Sequence, residues 1–175
     1  MDESQRPETR RLPGVQRRPH GSGDGWVDGP EGRFWGLFGA AGLVVVTPRF
    51  GILLQHRADW SHFGGTWGIP GGARKEDETA EAAALREANE EAGVPLDGVR
   101  VFGTEVFDLG YWSYTTVLGL AEPFEPVNAD AESEDLQWVD LDAVPDYPLH
   151  PGLERSWDRL HALIRAELTR LDPAS

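Results

Sequence analysis

Residues 79–92 read as a helix whose two neighbouring faces make opposite demands. At about 100° per residue, Glu87, Glu90 and Glu91 fall within one arc of roughly 100°, while Leu85, Ala88 and Ala92 fall together beside it. The small-residue face lets the helix approach a sheet closely. The acidic face works against the helix, because like charges three or four residues apart each cost about 0.2–0.5 kcal/mol unless a cation sits among them. Hard carboxylate oxygens in that arrangement suit magnesium, with manganese as a substitute. Arg86, next to Glu87 and four residues before Glu90, is placed to hold a carboxylate. Thr79 or Asp77 serves as the N-cap and Gly93 as the C-terminal stop.

Short apolar runs at residues 43–46, 52–55, 66–69, 99–107 and 112–120 have strand length, with turn-forming residues between them. In 99–107 apolar side chains occur on both parities, which predicts a sheet covered on both faces. A second helix opens at Pro151, with Leu153, Trp157, Leu160, Ile164, Leu168 and Leu171 at three- and four-residue steps. Ahead of it, residues 122–146 carry nine acids and no base around the strand-like run 136–139. An α/β architecture follows, with helices on both sides of a sheet. At 175 residues the chain makes one domain, assigned to residues 34–175. Residues 1–33, rich in Pro, Gly and Arg, are expected to be a flexible arm.

Charge and composition narrow the function. The arm holds six acids and six arginines, so the formal charge of −14 resides in the remainder, a surface that repels a nucleic-acid duplex. No cysteine is present, which removes disulfides and thiol chemistry and suits a cytoplasmic setting. The longest uncharged, mostly apolar run, residues 34–46, falls short of the about 20 residues that a helical membrane span needs. The first residues, Met1 to Arg6, lack a secretory pattern.

Gly72, Glu78, Arg86, Glu87, Glu90, Glu91 and Gly93, with Val94 after them, match the Nudix box G-x5-E-x7-R-E-U-x-E-E-x-G-U, where U is bulky and aliphatic. Ala88 is smaller than usual at the first U. The resemblance extends upstream: Trp67 to Gly72 is similar to the strand and loop before the family's box, and Leu53 to Arg57 to the strand before that. It implies a Nudix-type α/β/α sandwich with a mixed central sheet, and magnesium-dependent hydrolysis of a nucleoside diphosphate linked to another group X.

By position, the resemblance implies that Glu87 and Glu91 are the principal metal ligands, joined by a backbone carbonyl at Gly71 or Gly72. Glu90 is a further ligand or the base, Glu78 supports the loop, and Arg86 positions the carboxylates. Counting back six residues from Trp138 gives Glu132 as a loop carboxylate acting as base or ligand, with Glu134 as the alternate. Arg57, Arg74 and Lys75 are the cations available to phosphates. Trp60, His62, Trp67, Tyr111, Trp112, Tyr114 and His150 are candidates for contacts to the base or to X. His56 reads as structural.

A MutT-like nucleoside triphosphate pyrophosphohydrolase, monomeric or homodimeric, is the first reading. Hydrolysis of a dinucleoside polyphosphate, for which Tyr111 is the signal, or of a nucleotide sugar stays open, as does a non-catalytic nucleotide sensor.

Overall fold

The computed structural model describes residues 21–172. The first twenty residues of the expected arm lie outside that range. Nine strands and two helices follow in the order β1 (Trp26–Gly29), β2 (Gly32–Trp35), β3 (Ala40–Thr47), β4 (Gly51–Arg57), β5 (Trp67–Gly68), β6 (Gly71–Ala73), α1 (Ala80–Ala92), β7 (Val99–Asp108), β8 (Ser113–Ala121), β9 (Ser133–Val139) and α2 (Pro151–Leu171).

The main sheet has the order β5-β4-β3-β8-β7, with β6 pairing β3 and β9 pairing β4. Only β3 and β8 run parallel, so the sheet is mixed. The central position of β3 explains its composition: all eight residues are buried, and successive side chains feed two different cores. Ala41, Leu43 and Val45, with Leu53 of β4, pack against the alanines of α1. Val44 and Val46, with Ile52 and Leu54, pack against Leu153, Trp157, Leu160 and Ile164 of α2. This is the α/β/α sandwich that the sequence pattern implies.

Both helices start and stop where their capping residues stand. The Thr79 side chain accepts from the Ala82 N–H, and Gly93 closes α1 in the left-handed region at φ 67°. Pro151 opens the first turn of α2.

One expectation is refined and one is corrected. Strand β7 is an edge strand covered on both faces over its first half, with Val99 and Val101 against the α1 core and Phe102 against the α2 core, while Val106 and Phe107 near its end remain exposed. Residues 21–33 are tied to the domain rather than forming free arm: β1 and β2 make a hairpin across the expected boundary. The Gly36 and Leu37 N–H groups donate to the Gly25 and Gly23 carbonyls, and the Trp112 Nε1–H donates to the carbonyl of Trp35.

Close helix–sheet contact rests on Ala83, Ala84, Ala88 and Ala92, all fully buried. Ala84→Leu is therefore expected to overpack the layer and cost about 1–3 kcal/mol. Urea denaturation measures this as a lower midpoint at unchanged slope; an unchanged midpoint would mean that the α1 contact is loose.

Candidate active site

Arg86 is the hub of the acidic helix face. Its guanidinium donates to both carboxylate oxygens of Glu78, at 2.7 and 2.9 Å, to Glu87 Oε1 at 2.5 Å and to the Ala73 carbonyl at 3.1 Å. A longer contact, 3.3 Å, reaches Glu90. One side chain thus fixes the helix to the loop between β6 and α1 and neutralises part of the acidic face. The pairing lowers the pKa of Glu78 and raises that of Arg86. Glu87 feels the same guanidinium, yet burial outweighs it and its pKa is raised.

Glu91 has no such relief. Its side chain is 5% exposed, and its Oε2 accepts one hydrogen bond, from the Gly71 N–H at 3.0 Å. Burial first, then the charge of Glu87, pushes its pKa up to about 8, with Asp130 and Glu132 adding to the shift. No Lys or Arg among the described residues forms an ion pair with it.

The acidic loop reaches Glu91 through the open end of α1. The Val127 and Ala129 N–H groups donate to the Ala92 and Glu91 carbonyls, which the helix itself leaves without partners. Oxygens of Asp130 and Glu132 then come within 4.8 Å of one another and of a Glu91 oxygen. The Asp130 carboxylate also accepts from the Glu132 N–H, and the Glu132 carbonyl accepts from Ala58 at the end of β4.

Gly72 lies against Glu87: a Cβ there would stand 2.7 Å from the Glu87 carboxyl carbon. Glu91, Asp130 and Glu132 thus bring carboxylate oxygens together, with the charge of Glu87 acting on Glu91 and too little positive charge to answer them. That donor set fits a hard divalent cation.

The remaining predicted residues divide. Glu90 stays 56% exposed and meets Arg86 rather than the Glu91 group. Glu134 points away, toward His56 Nδ1 at 3.4 Å and the Asp59 N–H. Arg57 donates its Nε–H to the His62 carbonyl, and no other partner of its guanidinium occurs among the described residues. Arg74 is committed to the Glu78 carbonyl through two N–H groups, so it holds the loop. Trp67 is stacked on His56 and meets Tyr147 edge-on, a structural position at the rim of the core.

Tyr111 packs on the β1–β2 hairpin. Its hydroxyl donates to the Gly32 carbonyl, and a Cβ at Gly29 would strike its ring. The Tyr114 hydroxyl occupies a slot opened by two glycines: a Cβ at Gly42 would lie 2.1 Å from it and one at Gly71 2.9 Å. Burial and the nearby Glu91 raise its pKa. His150 caps α2, its Nδ1 accepting from the Gly152 N–H.

Sequence reasoning missed Asp130, which stands in an unpatterned acidic run, and the Gly71 N–H, which no side chain signals. The only cue to Asp130 was its place two residues before Glu132.

The NUDIX domain profile matches residues 37–160. A Mycobacterium tuberculosis protein provisionally named 8-oxo-dGTP diphosphatase 3 is 45% identical over 159 residues, covering 85% of this chain and 73% of its own. A Bifidobacterium longum nucleoside triphosphate pyrophosphatase/Nudix hydrolase fusion protein is 42% identical over 161 residues, covering 86% of this chain and 33% of its own. The crystal structure of RenU, a Nudix hydrolase from M. smegmatis, is similar at 48% identity and a TM-score of 0.76, over 82% of this chain and 96% of that one. No helix among the described residues is long and apolar enough to cross a membrane.

Burial, with Arg57 nearby, lowers the pKa of His150 from 6.5 to about 4. The unfolded chain therefore takes up a proton near pH 6.5 that the folded chain refuses until about pH 4, so this group's stabilisation is lost as pH falls across that window. His150→Asn keeps a capping acceptor and removes the titration. Melting temperatures at pH 7.5 and pH 5 are expected to differ less for the variant than for the parent; equal differences would show that His150 titrates freely.

Proposed function

The chain belongs to the Nudix family and is a pyrophosphohydrolase, and from that premise we propose that it cleaves a pyrophosphate bond of a nucleoside triphosphate with magnesium, or manganese in its place, as cofactor. The observation that carries this reading is the Glu91 group. A buried carboxylate pushed up to about 8, with two loop carboxylates close by and no cationic side chain among the described residues paired to it, is costly unless a divalent cation answers it.

Glu87, Glu91 and Asp130, with the carbonyl of Gly72, would hold the cation. When bound, it neutralises charge on phosphate oxygens and lowers the pKa of a coordinated water. Glu132 is assigned as the base that accepts the proton of the attacking water, because it stands on the loop, where it can face solvent, and reaches the Glu91 group. Arg86 acts at one remove, keeping Glu87 in place. Glu90, exposed beside Arg86, is assigned to the outer part of the acidic face, where it biases Arg86 rather than reaching the reacting phosphorus. Arg57 and Lys75 supply positive charge for phosphates in a protein of charge −14.

A triphosphate is favoured over a dinucleoside polyphosphate for two reasons. The names of the similar mycobacterial and bifidobacterial proteins refer to nucleoside triphosphates, and Tyr111 is held by the hairpin. An oxidised guanine nucleotide such as 8-oxo-dGTP is the first substrate to assay. A cytoplasmic setting accords with such a substrate.

Release of nucleoside monophosphate and pyrophosphate from a nucleoside triphosphate panel with magnesium tests the reading. No release from any member, or release undiminished by chelation, would contradict it. Glu91→Gln is expected to lower kcat by about three orders of magnitude or more, roughly 4 kcal/mol of transition-state stabilisation. A variant within about tenfold of the parent would remove Glu91 from the metal site. Glu132→Gln is expected to slow turnover more than Glu134→Gln, since the Glu134 carboxylate faces His56 and Asp59; the reverse order would move the base to Glu134.

A further inference from the structure

Gln55 is 2% exposed near the end of β4, where the four residues before it, Gly51, Ile52, Leu53 and Leu54, are buried and carry no polar side chain. A buried amide left without a partner costs about 1–3 kcal/mol, and an apolar side chain of similar length carries no such cost. The partner of Gln55 is the hydroxyl of Ser133, itself 6% exposed, to which the Nε2–H donates. Ser133 directly follows Glu132, so this bond connects the sheet to the acidic loop.

Regular strand pairing would keep these two side chains apart. Gln55 stands opposite Leu136, which packs in the core shared with α1. Side chains alternate along a strand, so Ser133, three residues from Leu136, belongs on the other face. The register breaks between His56 and Arg57: His56 pairs with Asp135 and Arg57 with Ser133, which leaves Glu134 as an extra residue in β9. Such a bulge moves the side chains beyond it to the opposite face. It turns Ser133 toward Gln55 and sends the Glu134 carboxylate to His56 and the Asp59 N–H.

The loop ahead of the bulge is tied to Ser133 and its neighbour. The Ser133 carbonyl accepts from Asn128 Nδ2 at 2.9 Å, and its N–H donates to the Asp130 carbonyl at 3.2 Å. The Glu132 N–H donates to Asp130 Oδ1 at 2.9 Å, and the Glu132 carbonyl accepts from the Ala58 N–H at 2.8 Å. The place of Ser133 therefore decides where the Asp130 and Glu132 carboxylates stand. At that place their oxygens lie within 4.8 Å of one another and of a Glu91 oxygen. A slip of one residue in β9 would turn Ser133 away from Gln55 and aim both carboxylates elsewhere.

We propose that Gln55 and Ser133 are positioning residues for hydrolysis: their buried bond locks the bulge in β9 and so holds Asp130 at the cation and Glu132 at the attacking water. This rests on the reading of the Glu91 group given above and adds the device that assembles it. Both residues act through the two loop carboxylates, and a displacement of those groups by about 1 Å is enough to slow a reaction by up to about a hundredfold.

The double variant Gln55→Met, Ser133→Ala tests the lock, because replacing both partners by apolar groups leaves neither of them unpaired. Without metal it is expected to melt within about 3 °C of the metal-free parent. Manganese, titrated calorimetrically into the metal-free protein, is expected to bind at least about fivefold more weakly, since Asp130 is no longer held beside Glu91. On the nucleotide panel kcat is expected to fall at least about tenfold with KM within about twofold of the parent. Ser133→Ala alone removes a single oxygen and serves if the double variant does not fold. It is expected to weaken manganese and lower kcat by at least about threefold.

Manganese affinity and kcat both within about twofold of the parent in the folded variants would overturn the proposal. So would a melting temperature lower by about 5 °C or more with manganese affinity unchanged, because the pair would then serve folding alone. Weakened manganese binding by the variants of a protein that hydrolyses no member of the panel would keep the lock on the loop and remove the hydrolase reading. Hydrolysis by the variants at the parent's rate would remove the lock and leave that reading.

Discussion

The side chain of Glu91 sets the terms for the surrounding structure. It sits on the sheet-facing edge of α1, where the alanine face brings the helix close enough for the Gly71 N–H to reach its carboxylate. That closeness requires Gly71 and Gly72 in β6, since side chains there would strike β3 backbone and the Glu87 carboxylate. It also desolvates an anion beside other anions, an arrangement that costs folding free energy while the charge stays unanswered. Arg86 limits the damage by tying Glu78 and Glu87 together, so that the excess negative charge is concentrated at Glu91 and the loop carboxylates.

Elements whose geometry is local could be read directly. The spacing of Glu87, Glu90 and Glu91 fixes which helix face they share, and Thr79, Gly93 and Pro151 mark helix ends because capping chemistry acts within a few residues. What depended on distant pairing could not. Asp130 joins Glu91 only because the residue 127–129 backbone satisfies the last carbonyls of α1, a contact that leaves no periodic trace. Nor did spacing show that Tyr111 donates to the hairpin or that Trp67 stacks on His56. The hairpin itself was hidden by composition: Gly- and Arg-rich sequence reads as an arm, yet Trp26 and Trp35 face each other across it and anchor it.

The cations are economically placed. Arg74 and Arg86 are committed to the loop and helix that carry the carboxylates, whereas Arg57, at the end of β4, donates to the His62 carbonyl. The end of strand β4 touches the Glu132 loop on one side and the loop of residues 58–66 on the other.

The most direct test of this account is the melting temperature of metal-free protein and of protein in excess magnesium, for the parent and for Glu91→Gln. If Glu91 is a carboxylate made costly by burial and answered by a divalent cation, the metal-free variant melts above the metal-free parent, and magnesium raises the parent far more than the variant. A variant that melts lower without metal and responds to magnesium as the parent does would contradict it, because the carboxylate would then be stabilising in its own right and the cation would bind elsewhere.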